Sequence, residues 1–332
     1  MKRDARVMTL LALALAAAVL LAGCGGGATG PAIPAPGQAG GGPSSPAPID
    51  LAPGQKLQVV ATTSIVWDVV ANVGGGLIDL QLLMPVGTDP HGFEPRPQDV
   101  TALAAADVIM ANGAGLETFL NRLLESTGAS YRVVQVSDGI DLLQLDSHSA
   151  EGGNDGSPEV DPHTWTDPNN VLVWVDNIQA ALSALDPAHA ADYERNATAY
   201  RAELESLDSW IGEEVAQIPE AQRKIVSDHE TFGYLAHRYG LTQTGAIFAG
   251  GTTLAQPSAK ELAALEAAIK ELGVKAIFVG STVSPDLARA IAEDTGVKLV
   301  TLYTGSLTQG GEADTYLDYM KANVSAIVDA LR

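Results

Sequence analysis

Cysteine occurs once in the 332 residues, at Cys24, so the chain cannot close a disulfide within itself. Basic side chains are scarce: 19 Lys and Arg stand against 40 Asp and Glu, for a formal net charge of −21. So acidic a surface repels nucleic-acid phosphates, whose binding needs clustered cations, and nucleic acid is excluded as a partner. The apolar stretch from residue 7 to residue 22 falls short of the roughly 20 residues that cross a bilayer. No His-Glu-x-x-His sequence occurs, which removes the common helix-borne zinc-hydrolase site.

The basic residues Lys2, Arg3 and Arg6 precede that apolar stretch, and the small residues Ala22 and Gly23 end it, as in a secretory signal over residues 1–23. Leu21-Ala22-Gly23-Cys24 resembles the bacterial lipobox, where the signal is cut before a cysteine that then carries lipid. The leader's three basic residues and Asp4 sum to +2, so the mature chain falls from −21 to −23. Residues 24–56 are mostly Gly, Pro, Ala and Ser with almost no charge, and they cannot bury enough apolar surface to offset ordering. They read as a tether with an r.m.s. reach of about 30 Å from a lipid-anchored Cys24. This places the protein at the outer face of the cytoplasmic membrane.

Histidine is also scarce, six residues in all, and three of them sit in unusual settings. His91 lies in Gly87-Thr88-Asp89-Pro90-His91-Gly92, His163 in Asp161-Pro162-His163-Thr164-Trp165-Thr166-Asp167-Pro168, and His229 in Asp228-His229-Glu230-Thr231-Phe232-Gly233-Tyr234. They are 72 and 66 residues apart, so only a fold brings them together. Neutral imidazole is the commonest transition-metal ligand, and three with an open position describe a zinc-type site. Asp161 and Asp167 could orient His163 through its second nitrogen or cap the helix at Pro168. Trp165 and Phe232 are placed to shield the site. His148, in the polar loop 146–160, His189 and His237 are expected at the surface.

Short β-rich runs at 57–61, 77–84, 107–110 and 132–136 alternate with helical patterns at 66–73, 97–104 and 116–125, as parallel βαβ units do. A second alternation has strands at 224–227, 243–246, 276–279 and 299–302, with helices at 231–239, 258–272, 284–295 and 312–331. Between the two halves a helical pattern opens at Asp186-Pro187 and runs to about Gln217. Its apolar face (Tyr193, Ala197, Tyr200, Leu204, Leu207, Ile211) suits a connector packed on both halves. The boundaries expected are a first lobe over 57–185, a connecting helix over 186–218 and a second lobe over 219–332. His91 and His229 follow strands and His163 precedes a helix N-terminus by a few residues, so histidines of both halves belong to strand-end loops, where ligands of such sheets collect.

The phrases around the three histidines, with Gln256-Pro257-Ser258-Ala259 and Thr315-Tyr316-Leu317-Asp318-Tyr319-Met320, resemble the zinc/manganese solute-binding lipoproteins of bacterial ABC transporters across residues 57–332. The resemblance implies an α/β fold of two (β/α)4 lobes with parallel sheets joined by a long helix, with metal captured between them. It implies His91, His163 and His229 as metal ligands, and as partners an ABC permease with its ATP-binding subunit. The protein would act as a monomer and not as an enzyme, with a surface adhesin role as a further possibility carried by related lipoproteins.

One position departs from the family pattern. Where many members place a fourth ligand, an aspartate, this chain has Gly305. The site would then be three histidines with water, or with Glu230, Glu312 or Asp314. The family's third ligand is histidine in many zinc-type members and glutamate in some manganese-type ones, so His229 leans the expected cargo toward Zn²⁺, with Mn²⁺ as the alternative. Imidazole suits zinc, whereas manganese favours oxygen donors. A rival reading is a zinc hydrolase with Glu230 as general base. Because ligands must be deprotonated, capture is expected to weaken as pH falls through the imidazole range.

Overall fold

The computed structural model describes residues 47–127, 132–145, 160–248 and 250–332. The expected signal 1–23, the lipid-bearing Cys24, the tether up to residue 46 and the loop that carries His148 lie outside these residues.

The chain after residue 56 alternates strand and helix. In the first half these are β1 (Leu57–Ala61), α1 (Ser64–Gly74), β2 (Ile78–Leu82), α2 (Pro97–Ala105), β3 (Val108–Ala111), α3 (Thr118–Thr127) and β4 (Val133–Gln135). Two helices follow, α4 (Pro168–Leu185) and α5 (Ala190–Ala216). The second half holds β5 (Lys224–Ser227), α6 (Gly233–Tyr239), β6 (Thr242–Ala246), α7 (Ala259–Leu272), β7 (Ala276–Gly280), α8 (Asp286–Thr295), β8 (Lys298–Leu302) and α9 (Tyr316–Leu331).

Each half forms a four-stranded sheet, in the orders β2-β1-β3-β4 and β6-β5-β7-β8, with every pairing parallel. The central strands are nearly continuous runs of buried residues, as parallel strands covered on both faces must be. The two orders are equivalent, and each reverses direction between its second and third strands. That reversal opens a crevice at the strand C-termini.

Local chemistry sets the helix starts. The Thr63 side chain accepts from the Val66 amide to begin α1, and the Asp167 side chain accepts from the Asn169 amide with Pro168 in the first turn of α4. Some elements are shorter than the sequence pattern predicts. Leu77 belongs to a 3-10 turn rather than to β2, although the Leu83 and Met84 amides still pair with Ala61 and Thr62. The helix expected from residue 231 starts only at Gly233, because the Thr231 amide turns back onto the His229 carbonyl at 2.8 Å. The helix expected from residue 312 starts at Tyr316, where Thr315 accepts from the Asp318 amide.

The long helix pattern resolves into one 3-10 turn, Pro187–His189, and the 27-residue α5. Its buried stripe is Tyr193, Ala197, Tyr200, Leu204, Leu207, Ile211 and Val215, at spacings of three and four. It packs against α1 and α4 from the first half and α9 from the second. One apolar core therefore runs through both halves, from Leu57 to Leu331, with smaller clusters under each sheet. Each fully buried Leu, Ile or Val in it contributes about 1.5–3 kcal/mol of transfer free energy, so both halves are stabilised by one shared framework. No helix among the described residues is long and apolar enough to cross a membrane.

Candidate metal centre

The segments that carry the three histidines meet at one place. After β2 the chain turns at Pro85–Thr88, and Asp89 Oδ1 accepts from the His91 amide at 3.1 Å, which fixes the loop that presents His91. His163 sits between a bridge at Val160 and the 3-10 turn Thr164–Thr166. Its loop is held by Asn112, whose Nδ2 donates to the Pro162 carbonyl at 3.0 Å. His229 lies two residues past the end of β5, after Asp228.

The two buried histidines share one device. Asp161 Oδ1 accepts from both the amide and Nδ1 of His163, at 2.9 and 2.7 Å. Asp228 Oδ1 accepts from both the amide and Nδ1 of His229, at 2.7 and 2.8 Å, while its Oδ2 accepts from the Gly280 amide at 2.6 Å. A carboxylate accepts, so Nδ1 carries the proton in each ring and Nε2 keeps its lone pair.

Those lone pairs converge. Nε2 of His163 lies 3.1 Å from Nε2 of His91 and 3.2 Å from Nε2 of His229, and the ring centroids are 4.9–5.3 Å apart. Donors bound tetrahedrally at 2.0–2.1 Å would sit about 3.3 Å from each other. The spacing therefore fits three ligands of one ion. Burial pushes His91 down to about 2 and His163 well below the usual imidazole range, and the neighbouring rings add to both shifts. Two of the three rings are thus held neutral, the form that binds metal. Burial lifts Asp161 to about 7 despite the His163 amide. Asp228 is also pushed up by burial, but its bonds from His229 and Gly280 outweigh that and hold it below the usual carboxylate range.

Among the described residues, the donor atoms that lie within 4.8 Å of one another are these three imidazoles, with no carboxylate in the group. Glu312 is exposed. The exposed Asp314 carboxylate accepts from Thr308 Oγ1 and the amides of Gly310 and Gly311, so it closes its own loop, and those bonds hold it below the usual range. The Glu230 amide donates to the Gly250 carbonyl at 3.2 Å. Gly305 is near the site but packed tight: a Cβ there would meet Pro90 Cδ at 2.5 Å. Gly233 is similar, since a Cβ would meet Asp161 Oδ2 at 2.4 Å. Both glycines let the second half lie directly against residues beside a histidine of the first.

Of the two aspartates flanking His163, Asp161 orients the ring and Asp167 caps α4. Trp165 packs edge-on to His163 at 5.2 Å, and its Nε1 donates to the Tyr319 hydroxyl on α9 at 3.0 Å. Phe232 is buried. Away from the site, His189 Nδ1 donates to Asp186 at 2.6 Å and His237 is exposed. Asp228, Asn112 and Thr231 escaped the sequence reading. The signal for Asp228 was present in the Asp-His pair, which repeats the carboxylate-then-imidazole order of Asp161 and His163.

A family model described as zinc-uptake complex component A, periplasmic (ZnuA), matches residues 59–330. The manganese-binding lipoprotein MntA of Halalkalibacterium halodurans is 36% identical over 280 residues, covering 84% of this chain and 89% of that protein. The manganese ABC transporter substrate-binding lipoprotein PsaA of Streptococcus pneumoniae is 33% identical over 290 residues, covering 85% and 91%. Among solved structures, the periplasmic zinc-binding protein TroA of Treponema pallidum superposes with a TM-score of 0.76 at 28% identity, covering 83% of this chain and 99% of that one. A manganese-bound periplasmic metal-binding protein from Candidatus Liberibacter asiaticus gives 0.73 at 26% identity, covering 84% and 100%. The lean toward zinc finds less support here than the manganese alternative, since the curated relatives named above are manganese proteins. The two parallel sheets and the long helix are those of TroA, and the chain belongs to the ZnuA family, the metal-binding solute-binding proteins of ABC importers rather than enzymes.

Proposed function

We propose that this protein binds one divalent first-row metal ion through Nε2 of His91, His163 and His229 and delivers it to an ABC permease driven by its ATP-binding subunit. The observation that carries the reading is the convergence of three Nε2 atoms at 3.1–3.2 Å, two of them backed by buried carboxylates. Residues 57–185 and 219–332 act as the two jaws and 186–218 as the strut between them. Relatives named as lipoproteins support lipid attachment at Cys24, which would hold the domain on the extracytoplasmic face.

The cargo assigned is Mn²⁺, on the strength of the manganese-binding relatives. Zinc is the second reading, favoured by a donor group of three imidazoles without a carboxylate. Nitrogen sites bind zinc more tightly than manganese, so selectivity in the cell rests on which ion is available. Deleting the gene and measuring cell metal content tests the assignment. Manganese should fall while zinc holds; a fall in zinc alone would overturn it.

A further inference from the structure

We infer that Thr231 sets the affinity of this site by competing, through its hydroxyl, for the lone pair with which His229 would hold the ion. The inference rests on the reading of His229 as a ligand. Asp228 accepts the Nδ1 proton of His229, so Nε2 is an acceptor. Thr231 Oγ1 lies 2.7 Å from that Nε2, and its hydroxyl must therefore be the donor. The same Nε2 is 3.2 Å from Nε2 of His163 and is the atom aimed at the shared centre. An imidazole nitrogen has one lone pair, and it cannot serve a hydroxyl and a metal together.

The ion can take His229 only by breaking that hydrogen bond. Thr231 is fully buried, so no bulk water replaces the lost partner. Its amide is tied to the His229 carbonyl at 2.8 Å, and a β-branched side chain has few rotamers into which to retreat. The competition lowers affinity and offers the nitrogen a ready partner as the ion leaves. Both effects suit a protein that must surrender its cargo.

Calorimetric titration of the full-length chain with ZnCl2 and with MnCl2 tests this, alongside release into excess chelator. Thr231→Val, which keeps the shape and removes the hydroxyl, should bind either ion about three- to tenfold more tightly and release it more slowly. Thr231→Ser, which keeps the hydroxyl, should stay within about twofold of the parent. Thr231→Ala serves the same purpose if the valine variant does not fold. A parent that binds metal with Val and Ala variants that bind equally or more weakly would overturn the inference alone, weaker binding marking the hydroxyl as a ligand. A parent that binds neither ion would overturn the site itself, and this inference with it.

Discussion

Gly305 and Pro90 touch across the two halves of the molecule: an ideal Cβ on Gly305 would fall 2.5 Å from Cδ of Pro90, the residue before His91. The Gly305 backbone thus lies directly against the loop that presents His91.

Gly305→Ala is therefore expected to destabilise the fold. A proline ring carbon cannot swing aside as a flexible side-chain tip can, so the loop must shift. Overpacking of this kind costs about 1–3 kcal/mol, which is on the order of 2–10 °C in Tm. Thermal denaturation monitored by circular dichroism checks it, and an unchanged Tm would contradict the close approach.

Asp228→Asn should weaken metal binding about 10- to 100-fold, as removal of a group that orients a ligand does. The Asp228 carboxylate serves three donors, the His229 amide and Nδ1 on one oxygen and the Gly280 amide on the other. An amide offers only one acceptor oxygen, so one side of this arrangement must meet a donor instead. Titration of the variant with ZnCl2 measures the loss. Affinity equal to the parent's would show that the ring is oriented by other means.

Burial of His91 and His163 fixes the sign of a pH effect. Both pKa values lie below the ordinary 6.5, so the unfolded state takes up protons under pH 6.5 while these folded rings do not. Their contribution to stability is whole above 6.5 and is lost as pH falls below it, by about 1.4 kcal/mol per pH unit for each ring. Asp161 and Asp68, raised to about 7 and about 6 chiefly by burial, act in the opposite sense over neighbouring pH. The difference between parent and His91→Gln isolates one ring. Without metal, urea denaturation between pH 6 and 5 should show the variant gaining on the parent as pH falls. Parallel curves would contradict a His91 ring held neutral in the folded state. Proton competition at His91 is correspondingly displaced below the window expected from an ordinary imidazole.

The sequence revealed what is written locally. The histidine contexts stand out because His-Gly, Asp-Pro-His and Asp-His are short and polar between apolar strands, and the stripe Tyr193 to Ile211 is visible as helical spacing. Asp167 reads as a cap because Pro168 follows it. Contacts that lock the halves together are not written locally. Leu307 N reaches Ser64 Oγ at 2.9 Å across 243 positions, and the Tyr316 hydroxyl reaches the Trp165 carbonyl at 2.7 Å across 151. The carboxylate behind His229 and the hydroxyl on its Nε2 depend on side-chain directions at a tight turn, which residue spacing does not encode. The choice between zinc and manganese was hidden for a related reason: it depends on a further donor, and the position where one was sought holds Gly305.

The direct test is an anomalous-scattering map from crystals grown with MnCl2 and, separately, with ZnCl2. Shared ligation predicts one dominant peak bonded to Nε2 of His91, His163 and His229 together, at about 2.0–2.3 Å from each. A peak bonded to fewer than three of these rings, or an ion held elsewhere while the three nitrogens stay bare, would contradict it.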